Sequence, residues 1–213
     1  MDFAQFLQCL PNLRNVTLPG EASHCKMSPP ERREIIRNLD LSKVNPRKAA
    51  ILMLVYPNAE GKACLALIVR NTYKGVHSSQ IAFPGGKVET FDLSNLEAAL
   101  RETEEEIGIP RTEVVFVSAF TEVYIPPSNF FVAPFLGYVS ETPSFIPDPR
   151  EVAAMMEMPI ENLLNDNNVV LKEMSTSYSE SIQVPVFAIG DQTIWGATAM
   201  MLSELKDVLK AML

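Results

Sequence analysis

The chain has 213 residues, 47% of them apolar and 21% charged, with a formal net charge of −8. That composition excludes a disordered or fibrous chain and is enough to bury one ample core. The acidic balance argues against a nucleic-acid partner, whose phosphates demand a basic patch, and against an anionic membrane surface.

From the N-terminus, Phe3 to Leu10 reads as a short amphipathic helix, and Ser28-Pro29-Pro30-Glu31 opens a second. They form a helical extension over residues 1–47, a candidate homodimer element. The basic, proline-containing link Lys43 to Lys48 leads from it into a main domain over 48–213. Strands are expected at Ala50 to Tyr56 and Ala63 to Arg70, joined by a turn at Pro57 to Gly61. Further strands are expected at Val114 to Tyr124, Phe130 to Val139, Val169 to Met174 and Gln183 to Phe187. Met155, Met156 and Met158 read as adaptable packing under a loop. A C-terminal helix is expected from Thr193 to Met212. The apolar runs are too continuous for a sheet with one wet face, so helices should cover both sides.

Cys9, Cys25 and Cys64 show no metal-ligand rhythm, which fits a reduced, cytoplasmic setting. No basic-then-apolar secretory pattern is present, and no run approaches about 18 apolar residues. His24 and His77 are isolated and read as surface or loop histidines. No Gly-x-Ser-x-Gly elbow, Walker-type phosphate loop or Cys-x-x-Cys pair occurs.

The chemistry concentrates between Gly85-Gly86-Lys87 and Ile109. Ser94 with Glu97 has the form of a capping box, and Gly108 followed by Pro110 is a stop, so a helix runs from Asn95 to Ile107. At about 100° per residue, Leu96, Ala99, Leu100, Thr103 and Ile107 make its buried stripe. Glu102, Glu105 and Glu106 gather on an adjacent edge, while Glu97, Arg101 and Glu104 point elsewhere. Three carboxylates in one turn repel each other, and a hard cation such as Mg²⁺ or Mn²⁺ is the simplest reason to collect them behind a glycine loop.

Phe83-Pro84-Gly85-Gly86-Lys87 through Gly108-Ile109 resembles the Nudix box of the Nudix hydrolases, matched at Gly86, Arg101, Glu102, Glu105, Glu106, Gly108 and Ile109. Asp92 stands where the general pattern has Glu, eight residues rather than seven separate it from Arg101, and Thr103 replaces an aliphatic residue. Gly-Gly-Lys, Asp and the longer spacing are how the coenzyme A diphosphatase branch reads. Leu67-Ile68-Val69-Arg70 and His77 to Ala82 resemble that branch's segment before the box, with Asn71 and Ser79 as departures. So do Pro127 to Pro134, Pro147 to Val152 and Ile194 to Ala199, and the resemblance covers Lys48 to Leu209.

The resemblance implies an α+β fold, a Nudix-like α/β/α sandwich around a mixed β-sheet. It implies Mg²⁺ or Mn²⁺ held by Glu102, Glu105 and Glu106 with the Gly85 carbonyl, and Glu105, Glu106 and Glu151 as catalytic carboxylates. Glu151 is a candidate extra ligand or general base. Arg70 and Gly86 would contact substrate, with Arg101 structural and paired to Glu105 one turn on. The implied reaction is hydrolysis of the diphosphate of coenzyme A or a derivative into 3′,5′-ADP and 4′-phosphopantetheine. The alternatives are hydrolysis of ADP-ribose, dinucleotides or noncanonical nucleoside triphosphates, or a non-catalytic nucleotide-binding module.

Overall fold

A computed structural model of the protein describes residues 1–13, 15–40, 43–71, 80–174 and 181–213; the segment around His77 lies outside them. Its spine is strand β1 (Arg47–Pro57), whose residues from Ala50 to Tyr56 are all buried. At its C-terminal end β1 pairs antiparallel with β2 (Ala63–Arg70), and at its N-terminal end with β4 (Gly85–Lys87). Along its other edge it runs parallel to β7 (Phe130–Tyr138). β3 (Ile81–Ala82) and β8 (Val152–Pro159) join β2, while β5 (Val115–Ala119) and β6 (Val123–Ile125) join β7, completing an eight-stranded mixed sheet. β9 (Val169–Met174), β10 (Ile182–Ile189) and β11 (Gln192–Ile194) form a separate three-stranded antiparallel sheet.

Alternation along β1 sends its side chains into two cores, as a strand buried on both faces must. Ile51, Met53 and Val55 meet Leu65 and Leu67 of β2, Phe6 of helix α1 (Phe3–Leu13), and Leu202 and Leu205 of the C-terminal helix (Gly196–Met212). Ala50, Leu52 and Leu54 meet Ala66 and Ile68 of β2 and Ala98, Ala99 and Ile107 of the box helix (Asn95–Ile107). The architecture is therefore an α/β/α sandwich of the α+β class. Each fully buried Leu or Ile in these layers contributes about 1.5–3 kcal/mol relative to exposure. Three shorter helices complete the chain, α2 (Glu21–His24), α3 (Pro30–Asn38) and α5 (Ile160–Leu164), so the box helix is α4 and the C-terminal helix α6. None of the described helices is long and apolar enough to cross a membrane.

Four sequence expectations need correction. Val114 to Tyr124 is two strands: the Phe120 amide still bonds the Pro134 carbonyl at 2.9 Å in the β5 register, but the next amide, of Thr121, turns to the Glu204 carboxylate at 3.2 Å, and β6 then pairs with β7 one residue out of that register. Met155, Met156 and Met158 lie in β8, paired with Ile68, Leu67 and Leu65 of β2, and not under a loop. Thr193 and Ile194 belong to the β10–β11 hairpin, so α6 begins at Gly196. His24 is buried, its Nε2 3.1 Å from a Glu204 carboxylate oxygen. Burial opposes ionisation of Glu204, yet His24, Thr121 and the Gly20 amide all bond it and hold its pKa below the usual carboxylate value. All three cysteines are free.

Candidate active site

Helix α4 starts and stops as its caps dictate. Ser94 accepts the Glu97 amide at 3.1 Å, and Gly108 turns left-handed at φ 74°, its amide bonding the Glu104 carbonyl. The face between these ends meets β1 and β4 and carries Glu106 inward, 1% exposed. Glu106 accepts the Gly85 amide at 2.8 Å and lies 3.6 Å from the Arg70 guanidinium. Arg70 in turn donates to the Gly85 carbonyl at 2.8 Å. Burial pushes the Glu106 carboxyl up to about 7, against the pull of Arg70 and the Gly85 amide, and the charges of Glu102 and Glu151 add to the rise.

Arg101, also buried, organises the neighbouring carboxylates. Its Nε and Nη2 grip Asp92 at 2.9 and 3.0 Å, Nη1 bonds Glu102 at 2.8 Å and Glu105 at 3.0 Å, and Nη2 reaches the Lys87 carbonyl at 3.1 Å. The Glu105 pairing matches the one-turn spacing, and Asp92 is the partner that spacing does not reveal. Burial raises the Glu102 pKa, with Arg101 opposing and Glu105 and Glu151 reinforcing the rise. Glu105 stands exposed at the rim.

The two glycines do different work. Gly85 has φ 144°, and a Cβ there would lie 2.4 Å from the Ala50 carbonyl oxygen, so only glycine passes between β1 and the helix. At Gly86 a Cβ would lie 2.3 Å from a Glu102 carboxylate oxygen, so the bare backbone is what seats that carboxylate. Glu151 reaches the site on the loop before β8. That loop is tied to the end of α4 by the amides of Ile146 and Asp148, each 2.9 Å from the carbonyls of Ile107 and Glu106. Glu151 is exposed and acts on Glu102 and Glu106 through its charge.

The donor set fits a hard divalent cation. Every candidate donor is an oxygen, and a buried carboxyl with a raised pKa is a group whose charge lacks compensation. Among the described residues no three His, Cys, Asp or Glu side chains are drawn in around one point. Glu102 and Glu105 rest on Arg101, and Glu106 faces Arg70.

A cavity of about 560 Å³ opens beside the glycine loop. Ala49 and Ile51 of β1, Gly85 to Lys87 of β4, Phe130 and Val132 of β7 and Ile125 of β6 line it on the sheet side. Trp195 to Thr198, Met200 and Met201 line it at the start of α6, with Arg70 and Gln80 on the β2–β3 side. The segments 127–134 and 194–199, far apart in sequence, thus meet over one pocket. Pro29 and Arg32 of the α3 region line it too, and sequence reasoning missed their place here: Pro29 reads only as part of a helix opening, no motif marks Arg32, and the Tyr124 carbonyl that Arg32 bonds is 92 positions away.

Comparison with known proteins adds four observations. The family model described as the NUDIX domain matches residues 46–178. Nudix hydrolase 22, chloroplastic, of Arabidopsis thaliana is 32% identical over 166 residues, covering 75% of this chain and 54% of the plant protein, so the chain spans about half that relative's length. NudL, an uncharacterized Nudix hydrolase of Yersinia enterocolitica, is 31% identical over 161 residues, covering 76% of this chain and 80% of its own. A solved Nudix hydrolase from M. smegmatis, RenU, shares the fold at 18% identity with a TM-score of 0.55, covering 78% of this chain and 87% of its own.

Proposed function

Since the chain belongs to the Nudix hydrolase family, whose members generally use divalent metal ions, we propose that it hydrolyses the diphosphate of coenzyme A or a derivative into 3′,5′-ADP and 4′-phosphopantetheine. One observation carries the substrate half of this reading. The segments that resemble the coenzyme A branch, around Ser128 and around Trp195, line the same cavity that opens on the glycine loop. Its largely apolar walls suit a ligand with a long uncharged arm, and its cations suit a diphosphate.

Glu102, Glu105 and Glu106, with the Gly85 carbonyl, would hold Mg²⁺ or Mn²⁺. Such an ion neutralises diphosphate charge and acidifies water at neutral pH. Arg70 and Lys87 border the diphosphate position from the sheet side and offset its charge without proton transfer. Arg101 keeps Glu102 and Glu105 at fixed positions through its donors. Glu151, exposed at the rim, is the carboxylate that would accept the proton of the attacking water, and a bound cation would keep Glu106 ionised. The apolar walls limit bulk water at the reacting phosphorus.

The reading is tested by offering the protein coenzyme A, ADP-ribose, NADH and a nucleoside triphosphate panel with and without Mg²⁺ or Mn²⁺, and identifying products by mass. Metal-dependent release of 3′,5′-ADP and phosphopantetheine above all other products is the expected result. Cleavage of the others alone would discard coenzyme A. Binding with no turnover would support a non-catalytic module.

Gly86→Ala separates seating of Glu102 from folding. The clash falls on a side-chain carboxylate, which can swing away, so stability should change by no more than about 1 kcal/mol. The displaced carboxylate should weaken the activating metal's half-saturation by about 10–100-fold, the range seen when metal ligands lose their support. A metal titration of activity beside a thermal melt checks both, and an unchanged titration would remove Glu102 from the ligand set.

A further inference from the structure

The cavity holds a second cationic end that the diphosphate chemistry does not use. Among the described residues that line it, Arg32, Arg70 and Lys87 are cationic and none is acidic, in a chain of net charge −8. Arg70 and Lys87 flank the glycine loop. Arg32 stands elsewhere: it comes from α3, outside the segment that the family model matches, and its Nη2 donates to the Tyr124 carbonyl of β6 at 2.6 Å. Across the sheet the order at this level is β4, β1, β7, β6, read from the Ala49–Lys87, Ala49–Val132 and Val132–Val123 pairs. Three strand spacings of about 4.8 Å put β6 roughly 14 Å from the glycine strand. Two adjoining phosphoryl groups cannot bridge that span.

A second observation lies at the same end. Ser128 lines the cavity in the turn between β6 and β7, and its Oγ is buried with no hydrogen-bond partner. A buried hydroxyl left unpaired costs about 1–3 kcal/mol unless something occupies its donor or acceptor. The turn around it is held rigidly, because Arg47 donates to the Ser128 carbonyl at 2.9 Å and stacks over the Phe130 ring at 4.1 Å. A cation held by the Tyr124 carbonyl and an orphan hydroxyl in the adjoining turn are groups that an oxyanion would satisfy.

We propose that Arg32 and Ser128 form a second anion subsite that recognises a phosphate monoester on the nucleoside half of the substrate, separate from the diphosphate at the glycine loop. This deepens the coenzyme A reading and rests on it, since coenzyme A carries such a group on its ribose. It makes α3 a specificity element of the active site. Charge and hydrogen bonding act together at such a site, and a pocket built to bond a polar group discriminates strongly against a ligand lacking it.

The test compares matched pairs that differ only in that phosphate. Native protein should bind 3′,5′-ADP at least about tenfold more tightly than 5′-AMP by calorimetry, and should show a similar kcat/KM preference for coenzyme A over dephospho-coenzyme A. Arg32→Met should bring both ratios to within about threefold of unity. Ser128→Ala, which leaves the Arg32–Tyr124 contact in place, should reduce them part of the way, and Arg32→Lys should retain most of the preference. Equal binding of the two nucleotides by native protein overturns the subsite, as does a preference that survives Arg32→Met. Failure to hydrolyse either coenzyme overturns the parent reading instead, and the calorimetric ratio still decides the subsite.

Discussion

With divalent metal supplied, Glu106→Gln should turn substrate over about 10³-fold more slowly, yet stripped of metal at pH 8 it should be the more stable protein. The first half follows from charge. A carboxylate that holds a Lewis-acidic ion contributes several kcal/mol of charge stabilisation in the transition state, and about 4 kcal/mol corresponds to roughly 10³ in rate. The second half follows from burial. The folded protein holds the Glu106 proton up to about 7, above the ordinary 4.5, so ionising the carboxyl opposes folding. Below pH 4.5 both states are protonated and no penalty exists. It grows as pH rises to 7 and stays constant above, on the order of 3 kcal/mol. Glutamine is neutral throughout and keeps an oxygen for the Gly85 amide. Urea unfolding of both proteins in chelator at pH 5 and pH 8 should therefore show the variant gaining on the native chain as pH rises. Added Mg²⁺ or Mn²⁺ should stabilise only the native chain appreciably. Unchanged turnover would sink the assignment of Glu106, and a stability difference flat with pH would sink the account of its burial.

The elements that could be read directly are those whose signals are local. Ser94, Glu97 and Gly108 lie in or next to the helix they delimit, so α4 is found at Asn95–Ile107 as expected. The unbroken apolar runs of β1 and β2 require cover on both faces whatever their partners, and α4 and α6 provide it. What was hidden depends on distant partners. β8 is rich in methionine and carries Glu157, with little β-branched character, and becomes a strand because β2 offers it an open edge. The break after Phe120 falls where Thr121 bonds Glu204, and the burial of His24 is set by the same Glu204, 180 positions away. The candidate site divides in the same way. The carboxylates of α4 lie on one face by helical periodicity, whereas Arg32 is brought to the cavity by packing alone.

Asp92 shows how a departure in spacing becomes physical, and it leads to the second large effect. The extra residue before Arg101 leaves Asp92 with its side chain 3% exposed, receiving two hydrogen bonds from a guanidinium that is itself 10% exposed. Those bonds are the main cause holding the Asp92 pKa below its ordinary value. It is therefore charged throughout the working range, and any stability from that shift is lost only as pH falls below about 4. Removing Arg101 strands Asp92 and the half-buried Glu102 without their counter-charge. A buried pair broken on one side typically costs 3–5 kcal/mol, so Arg101→Leu should be destabilised by about that much. Arg101→Lys keeps the charge but not the fork, and should fall between. Asp92→Asn removes the charge that most needs Arg101, so combining it with Arg101→Leu should cost clearly less than the two single changes added together. Denaturant unfolding of the four proteins in chelator measures this coupling apart from metal binding. Additive costs would mean that Asp92 and Arg101 contribute independently, and that the altered spacing of the box has no structural role in holding the carboxylates of α4.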